Sequence, residues 1–114
     1  MLERKRRLRK KTDIQNVFKE RQAFREGFLI LKKAPNGLGY SRFCTVISKK
    51  GSKKATVRNR VRRRISEAVR QNLSQIKEGF DIVLMAAGEI SGREDFTATE
   101  KIIGKLFARS KLLR

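Results

Sequence analysis

Val57, Val61, Ile65, Ala68, Val69, Leu73 and Ile76 recur at three- and four-residue intervals, with charged residues between them. That spacing sets all seven on one stripe of an α-helix and predicts a long helix from about residues 55–57 to about residue 76. Ile14, Val17 and Phe18 mark one face of a shorter helix ending near Arg21, and Thr12-Asp13-Ile14-Gln15 before it reads as a capping box with Thr12 as N-cap. Residues 28–31 are apolar and read as a strand. Residues 42–48 alternate, with Phe43, Thr45 and Ile47 on one side and Cys44 and Val46 on the other. Ala34-Pro35-Asn36-Gly37-Leu38-Gly39 between them carries turn signals, so the two strands are expected to form an antiparallel hairpin. Residues 80–87 are apolar except for Asp81, the pattern of a strand covered on both faces. After a loop over residues 88–94, Thr97-Ala98-Thr99-Glu100 forms a second capping box. It opens a last helix with Ile102, Ile103, Leu106 and Phe107 inward. The order α-β-β-α-β-α predicts an α/β fold, a two-layer α+β sandwich with a small mixed sheet and one long helix. No repeat or second domain is visible, so residues 1–114 form one domain.

Composition narrows the chemistry. The 114 residues contain 30 Lys and Arg against 11 Asp and Glu, a net charge of +19. Such self-repulsion opposes compaction and is best explained by a polyanionic partner. There is no histidine, which removes the commonest general base and the His-dependent triads. The single cysteine, Cys44, permits neither an internal disulfide nor a cysteine-cluster metal site, and its apolar neighbours predict a buried, inert thiol. Seven of residues 1–11 are Lys or Arg, and this basic arm is expected to be flexible until a partner orders it. No apolar run follows it as a secretory signal requires, and the longest one, residues 82–87, is too short to span a bilayer. A cytoplasmic protein with no membrane role is expected.

The charge concentrates on the long helix. Five arginines lie within residues 58–64, and between Arg42 and Arg70 there are eleven Lys or Arg and one acid, Glu67. At 100° per residue, Asn59, Arg60, Arg63 and Arg70 fall opposite the apolar stripe. Arg58 and Arg62 fall near or inside it, where an unpaired charge is too costly to bury, so they must reach a cleft or a partner group. A merely solvated face would interleave glutamates for i,i+4 pairing. Nucleic-acid binding follows. The chain shows no helix-turn-helix pair and no dimerisation heptad, and a cationic groove with a few aromatic side chains suits single-stranded RNA. Phe18 serves equally as a stacking residue in such a groove or as ordinary core.

These residues resemble the protein component of bacterial ribonuclease P. The resemblance rests on Ser48-Lys49-Lys50, Lys54-Ala55 and Arg58-Asn59-Arg60-Val61-Arg62-Arg63. It extends through Asp13-Ile14 with Val17-Phe18, Tyr40-Ser41-Arg42, Glu67, Gly79-Phe80-Asp81-Ile82-Val83 and the last helix. It implies a protein subunit that binds a catalytic RNA and promotes 5′-end maturation of precursor tRNA by endonucleolytic cleavage. Lys49, Lys50, Lys53, Lys54, Arg58, Asn59, Arg60, Arg62 and Arg63 would contact that RNA. The 5′ leader would lie in a cleft between the basic helix and the sheet, lined by Ile14, Phe18 and Arg42. The resemblance further implies a left-handed β-α-β crossover, magnesium held mainly by the RNA partner, and no obligate protein partner. Four positions depart from the family pattern. The Gly51-Ser52-Lys53 turn is one residue longer, Ser66 and Ala87 replace common arginines, and Ile14 replaces a frequent phenylalanine.

Two other readings compete. A small ribosomal or ribosome-assembly protein would have the same composition. A protein-only nuclease would need clustered carboxylates for magnesium, and the nearest approach to a cluster is Glu89 with Glu94-Asp95.

Overall fold

The computed structural model describes residues 2–88, 90 and 96–114. Helix α1 covers Lys11–Phe18, strand β1 Phe24–Glu26, β2 Leu29–Pro35, β3 Arg42–Val46, helix α2 Ala55–Asn72, β4 Phe80–Ala86 and helix α3 Phe96–Arg109. The strands form one mixed sheet in the order β1-β2-β4-β3. β4 runs antiparallel to β2 and parallel to β3, with Ala34 and Arg42 both opposite Asp81.

The expected hairpin between the second and third strands does not form. β4 lies between them, because a strand apolar on both faces gains most from a central position with a layer on each side. Ile82 and Leu84 point to one face and Val83 and Met85 to the other. Residues 36–41 therefore span a strand-wide gap. Asn36 shapes the start of that span: its Oδ1 accepts from the Leu38 N–H at 2.7 Å and its Nδ2 donates to Tyr40 O at 3.1 Å. The true hairpin is β1–β2, turning at Gly27 with φ +56°. A Cβ there would lie 2.7 Å from the Cδ1 of Ile102, so the turn needs glycine for both conformation and space. The strand β1 was not expected, because three residues are too few to show a period.

The two faces carry separate cores. On one, Leu29, Leu31, Phe43, Ile82 and Leu84 pack against Val61, Ile65 and Val69 of α2 and Ile103, Leu106 and Phe107 of α3. On the other, Val17 and Ile14 of α1 pack with Leu8, Ala34, Val83, Cys44, Val46 and Met85. The sheet thus has α2 and α3 on one face and α1 on the other.

Several boundaries differ from expectation. α1 begins at Lys11 after Lys10, with no side-chain cap, so Thr12 lies inside the helix and forms no capping box. It ends at Phe18, short of Arg21. Thr97 likewise lies inside α3. α2 ends at Asn72 and gives way to a 3-10 turn over Leu73–Gln75, while Ile76 bridges to Leu113. Most of the loop at residues 88–94 lies outside the described residues, as do Glu89, Glu94 and Asp95.

The N-terminal arm is not a loose tail. Leu2 and Leu8 are buried, Arg7 bridges Phe43 on the free edge of β3, and Leu8 N donates to Phe43 O at 2.8 Å. Arg6 closes on Glu78, both terminal nitrogens 2.9 Å from a carboxylate oxygen. Two buried leucines six residues apart and one paired arginine anchor a segment whose composition alone reads as disordered.

Candidate nucleic-acid interface

The α2 stripe packs as predicted. Val61, Ile65, Ala68 and Val69 are buried, and Val57 and Leu73 are half-buried beside the core. Asn59, Arg60, Arg63 and Arg70 are exposed on the opposite side. Arg70 pairs with Glu67 one turn earlier, so its charge is partly answered within the helix. No acidic residue occupies the first turn of α2, leaving its positive dipole end next to the lysine loop.

Lys49, Lys50, Lys53 and Lys54 are all exposed on that loop. Its fold depends on Gly51, which is buried: Gly51 N donates to Ser48 O at 2.9 Å, and Gly51 O accepts from Ile90 N at 2.8 Å. A Cβ at Gly51 would sit 3.3 Å from both Ile47 and the Ser48 carbonyl. The longer turn is therefore closed by backbone bonds and does not splay.

Arg58 and Arg62 resolve as the helical wheel requires. Both are half-buried. Arg58 donates to the Ser52 carbonyl at 2.7 Å and ties the lysine loop to the first turn of α2. Arg62 donates to the Asn59 side chain. Arg62 also lines a small cleft at the β3 edge with Arg7, Arg9, Cys44 and Ser66. Cys44 is only half-buried there; burial pushes its thiol pKa up and Arg62 partly offsets this. The expectation of a fully buried thiol is corrected: the second sheet face is incompletely covered.

Ile14 and Phe18 stand on that second face, away from α2. The groove that they border lies between α1 and the sheet and is not walled by the basic helix. Phe18 is 37% exposed, one of two large apolar side chains left in water among the described residues. Lys32 Nζ donates to the Phe18 carbonyl at 3.0 Å and fixes the end of α1. Ile30, Val46 and Met85 are half-buried on the same sheet face and form an apolar floor.

Arg42 is not a free cation in this groove. Its Nε lies 2.8 Å from Asp81 Oδ1, a terminal nitrogen lies 2.7 Å from Asp81 Oδ2, and the same nitrogen is 3.4 Å from Asp13 Oδ2. Hydrogen bonding to Asp81 holds the Arg42 guanidinium pKa above its ordinary value. Asn36 Nδ2 also donates to Asp81 at 2.9 Å. Sequence reasoning missed this network, since residues 13, 42 and 81 meet only in three dimensions. The lone Asp81 in an apolar strand was the available signal.

Among the described residues no three Asp, Glu or Cys side chains gather to hold a metal ion, and no helix is long and apolar enough to cross a membrane.

The family model for ribonuclease P matches residues 2–111. The chain is 36% identical over 107 residues to the ribonuclease P protein component of Thermotoga maritima, covering 90% of this chain and 91% of that protein. It is 37% identical over 107 residues to the corresponding protein of Clostridioides difficile, covering 92% and 91%. The solved structure of the Thermotoga maritima protein superposes with a TM-score of 0.77 at 31% identity, covering 90% of this chain and 96% of that one. The Staphylococcus aureus RNase P protein shares the fold, with a TM-score of 0.83 at 20% identity over 96% and 98%. These matches set aside the ribosomal-protein reading: the chain belongs to the ribonuclease P protein component family, whose role is to bind ribonuclease P RNA and promote 5′ maturation of precursor tRNA.

Proposed function

We propose that the two faces of the sheet divide the work between two RNAs. On the α2 side, Asn59, Arg60, Arg63 and the four loop lysines seat on the ribonuclease P RNA, with Arg58 and Arg62 holding that surface in shape. On the α1 side, the groove of Ile14, Phe18, Ile30, Val46 and Met85 takes the single-stranded 5′ leader of precursor tRNA. An exposed aromatic ring beside an apolar floor suits base stacking without sequence readout. Arg42 belongs to this groove as the group that fixes α1 on the sheet.

The protein's contribution is electrostatic and positional. Six to ten phosphate contacts would make affinity fall by about 10³ to 10⁵ between 50 and 200 mM salt. A cationic subunit also screens repulsion between catalytic RNA and substrate, lowering the magnesium needed to bring them together. Magnesium held by the RNA would supply activation of water. The chain itself offers no histidine for the proton transfers.

The observation that carries this reading is that α1, which ends in Phe18, packs on the opposite face of the sheet from α2. The test adds purified protein to a ribonuclease P RNA at limiting magnesium and follows 5′ processing of precursor tRNA. Stimulation is expected; no stimulation at any protein concentration refutes the proposal.

A further inference from the structure

A second cationic site lies at the far end of the molecule from the arginine cluster. α2 runs antiparallel to β3 and β4, so Arg58 to Arg64 sit near the Ala86 end of β4. The other site surrounds Phe80, at the opposite end of the same strand. There the sheet extends past the end of α3 and leaves a notch lined by Glu20, Gln22, Phe24, Lys33, Pro35 and Phe80.

Three features distinguish this notch from ordinary surface. First, Phe24 and Phe80 are only half-buried and pack at the margin of the main core, so ring surface remains available. Second, Lys33 Nζ sits 5.1 Å above the Phe80 ring and donates to the Ser110 carbonyl at 2.5 Å, held at the notch. Third, the backbone segments that carry Lys77 and Lys111 meet next to Ser110, the residue that Lys33 bonds. The Lys77 N–H donates to the Leu112 carbonyl at 2.7 Å, which brings the two segments together. Burial, then Lys77 and Lys111, lowers the Lys33 pKa. None of the three lysines forms an ion pair with a carboxylate among the described residues. Lys111 adopts φ +59°, the sole non-glycine residue with positive φ among those described. Ordinary side chains seldom adopt that backbone conformation.

We infer that this notch is a second RNA contact, taking one unpaired nucleotide of the ribonuclease P RNA, with its base against Phe24 and the edge of Phe80 and its phosphate toward Lys33, Lys77 and Lys111. The inference rests on the proposed arginine interface and extends its footprint along α2. A notch of about 200 Å³ is smaller than a pocket for a drug-sized ligand and suits a single ring system. Cations above an aromatic face match a base joined to a phosphodiester. Glu20 and Gln22 on the rim offer acceptors to an exocyclic amino group, which favours adenine, cytosine or guanine over uracil. The catalytic RNA is the favoured source because the notch opens on the α2 and α3 side of the sheet, whereas the leader groove lies on the other.

The test measures binding of full-length protein to ribonuclease P RNA as a function of salt. Lys77→Gln combined with Lys111→Asn removes two exposed charges, and asparagine suits the left-handed backbone at residue 111, so the variant folds. The slope of log affinity against log salt is expected to fall by about one. Phe80→Leu is expected to weaken binding at least about fivefold with little change in slope. An unchanged slope in the lysine variant overturns the inference. So does a defect seen only when preassembled enzyme binds precursor tRNA, since that assigns the notch to the leader. Arg60→Ala, measured in parallel, reports on the arginine interface independently.

Discussion

Arg42 and Asp81 lie opposite each other on adjacent strands and meet through two hydrogen bonds, at 2.8 and 2.7 Å. Asp81 is buried, and Asp13 reaches the same guanidinium from α1. A charged pair thus stands where α1, β3 and β4 join. Arg42→Ala would leave a buried carboxylate with no cation and only the Asn36 amide as partner, and is expected to cost about 3–5 kcal/mol in urea unfolding. Asp13→Ala removes only the outer, more exposed partner. It is expected to cost under about 1 kcal/mol while raising KM for precursor tRNA, because α1 is less firmly placed. Equal stability losses for the two variants contradict this hierarchy.

Glu78 supplies a pH dependence. Hydrogen bonds from Arg6, then from the Ser41 N–H, hold its pKa down at about 2 against an ordinary 4.5. A depressed carboxylate stabilises the fold above its unfolded pKa, and that contribution is lost as pH falls from about 4.5 towards about 2. Glu78 remains partly exposed, so about 1–2 kcal/mol is expected after solvent screening. Acid titration of folding stability should therefore be shallower in Glu78→Gln than in the parent below pH 4.5. Parallel curves rule the pair out as a source of acid sensitivity.

Arg60 and Arg58 separate contact from support. Arg60 is exposed, and its replacement by alanine should weaken ribonuclease P RNA binding about tenfold and lower the salt slope by about one. Arg58 instead bonds inward to the Ser52 carbonyl. Arg58→Ala should also weaken assembly, but through a loosened lysine loop, seen as faster amide exchange at residues 49–54 in the free protein. Unaltered exchange would place Arg58 among the direct contacts.

Phe18 tests the second face. Phe18→Ala should leave stability within about 0.5 kcal/mol, since the ring is exposed. It should weaken binding of precursor tRNA by about 1–3 kcal/mol and leave mature tRNA binding unchanged. Equal losses for precursor and mature tRNA would mean that the ring does not meet the leader.

The sequence revealed elements better than their arrangement. The α2 stripe and the doubly apolar β4 were readable because each carries a long, regular period. The pairing partners of β4 were not, because register depends on which strands can flank it, and chain order suggested the wrong neighbour. The arm misled for a related reason: seven cations in eleven residues hide two leucines whose burial depends on a distant strand edge. In the site, the wheel placed Arg58 and Arg62 inward without any structure. It could not show that Arg42 is answered by Asp13 and Asp81, nor that Phe18 and α2 face opposite ways.

The central position of β4 has a consequence for how the chain is made. β2 and β3 are synthesised first, and their final neighbour follows only after the whole of α2. Until residues 80–86 arrive, both inner edges stand unpaired, and an open edge invites pairing with other chains. Lys32 and Lys33 lie on one of those edges and Arg42 on the other. Their charges discourage association during that interval. After closure the same three side chains hold the end of α1, the end of α3 and the α1–sheet junction. What guards the nascent chain against its neighbours becomes the fastening of the finished one.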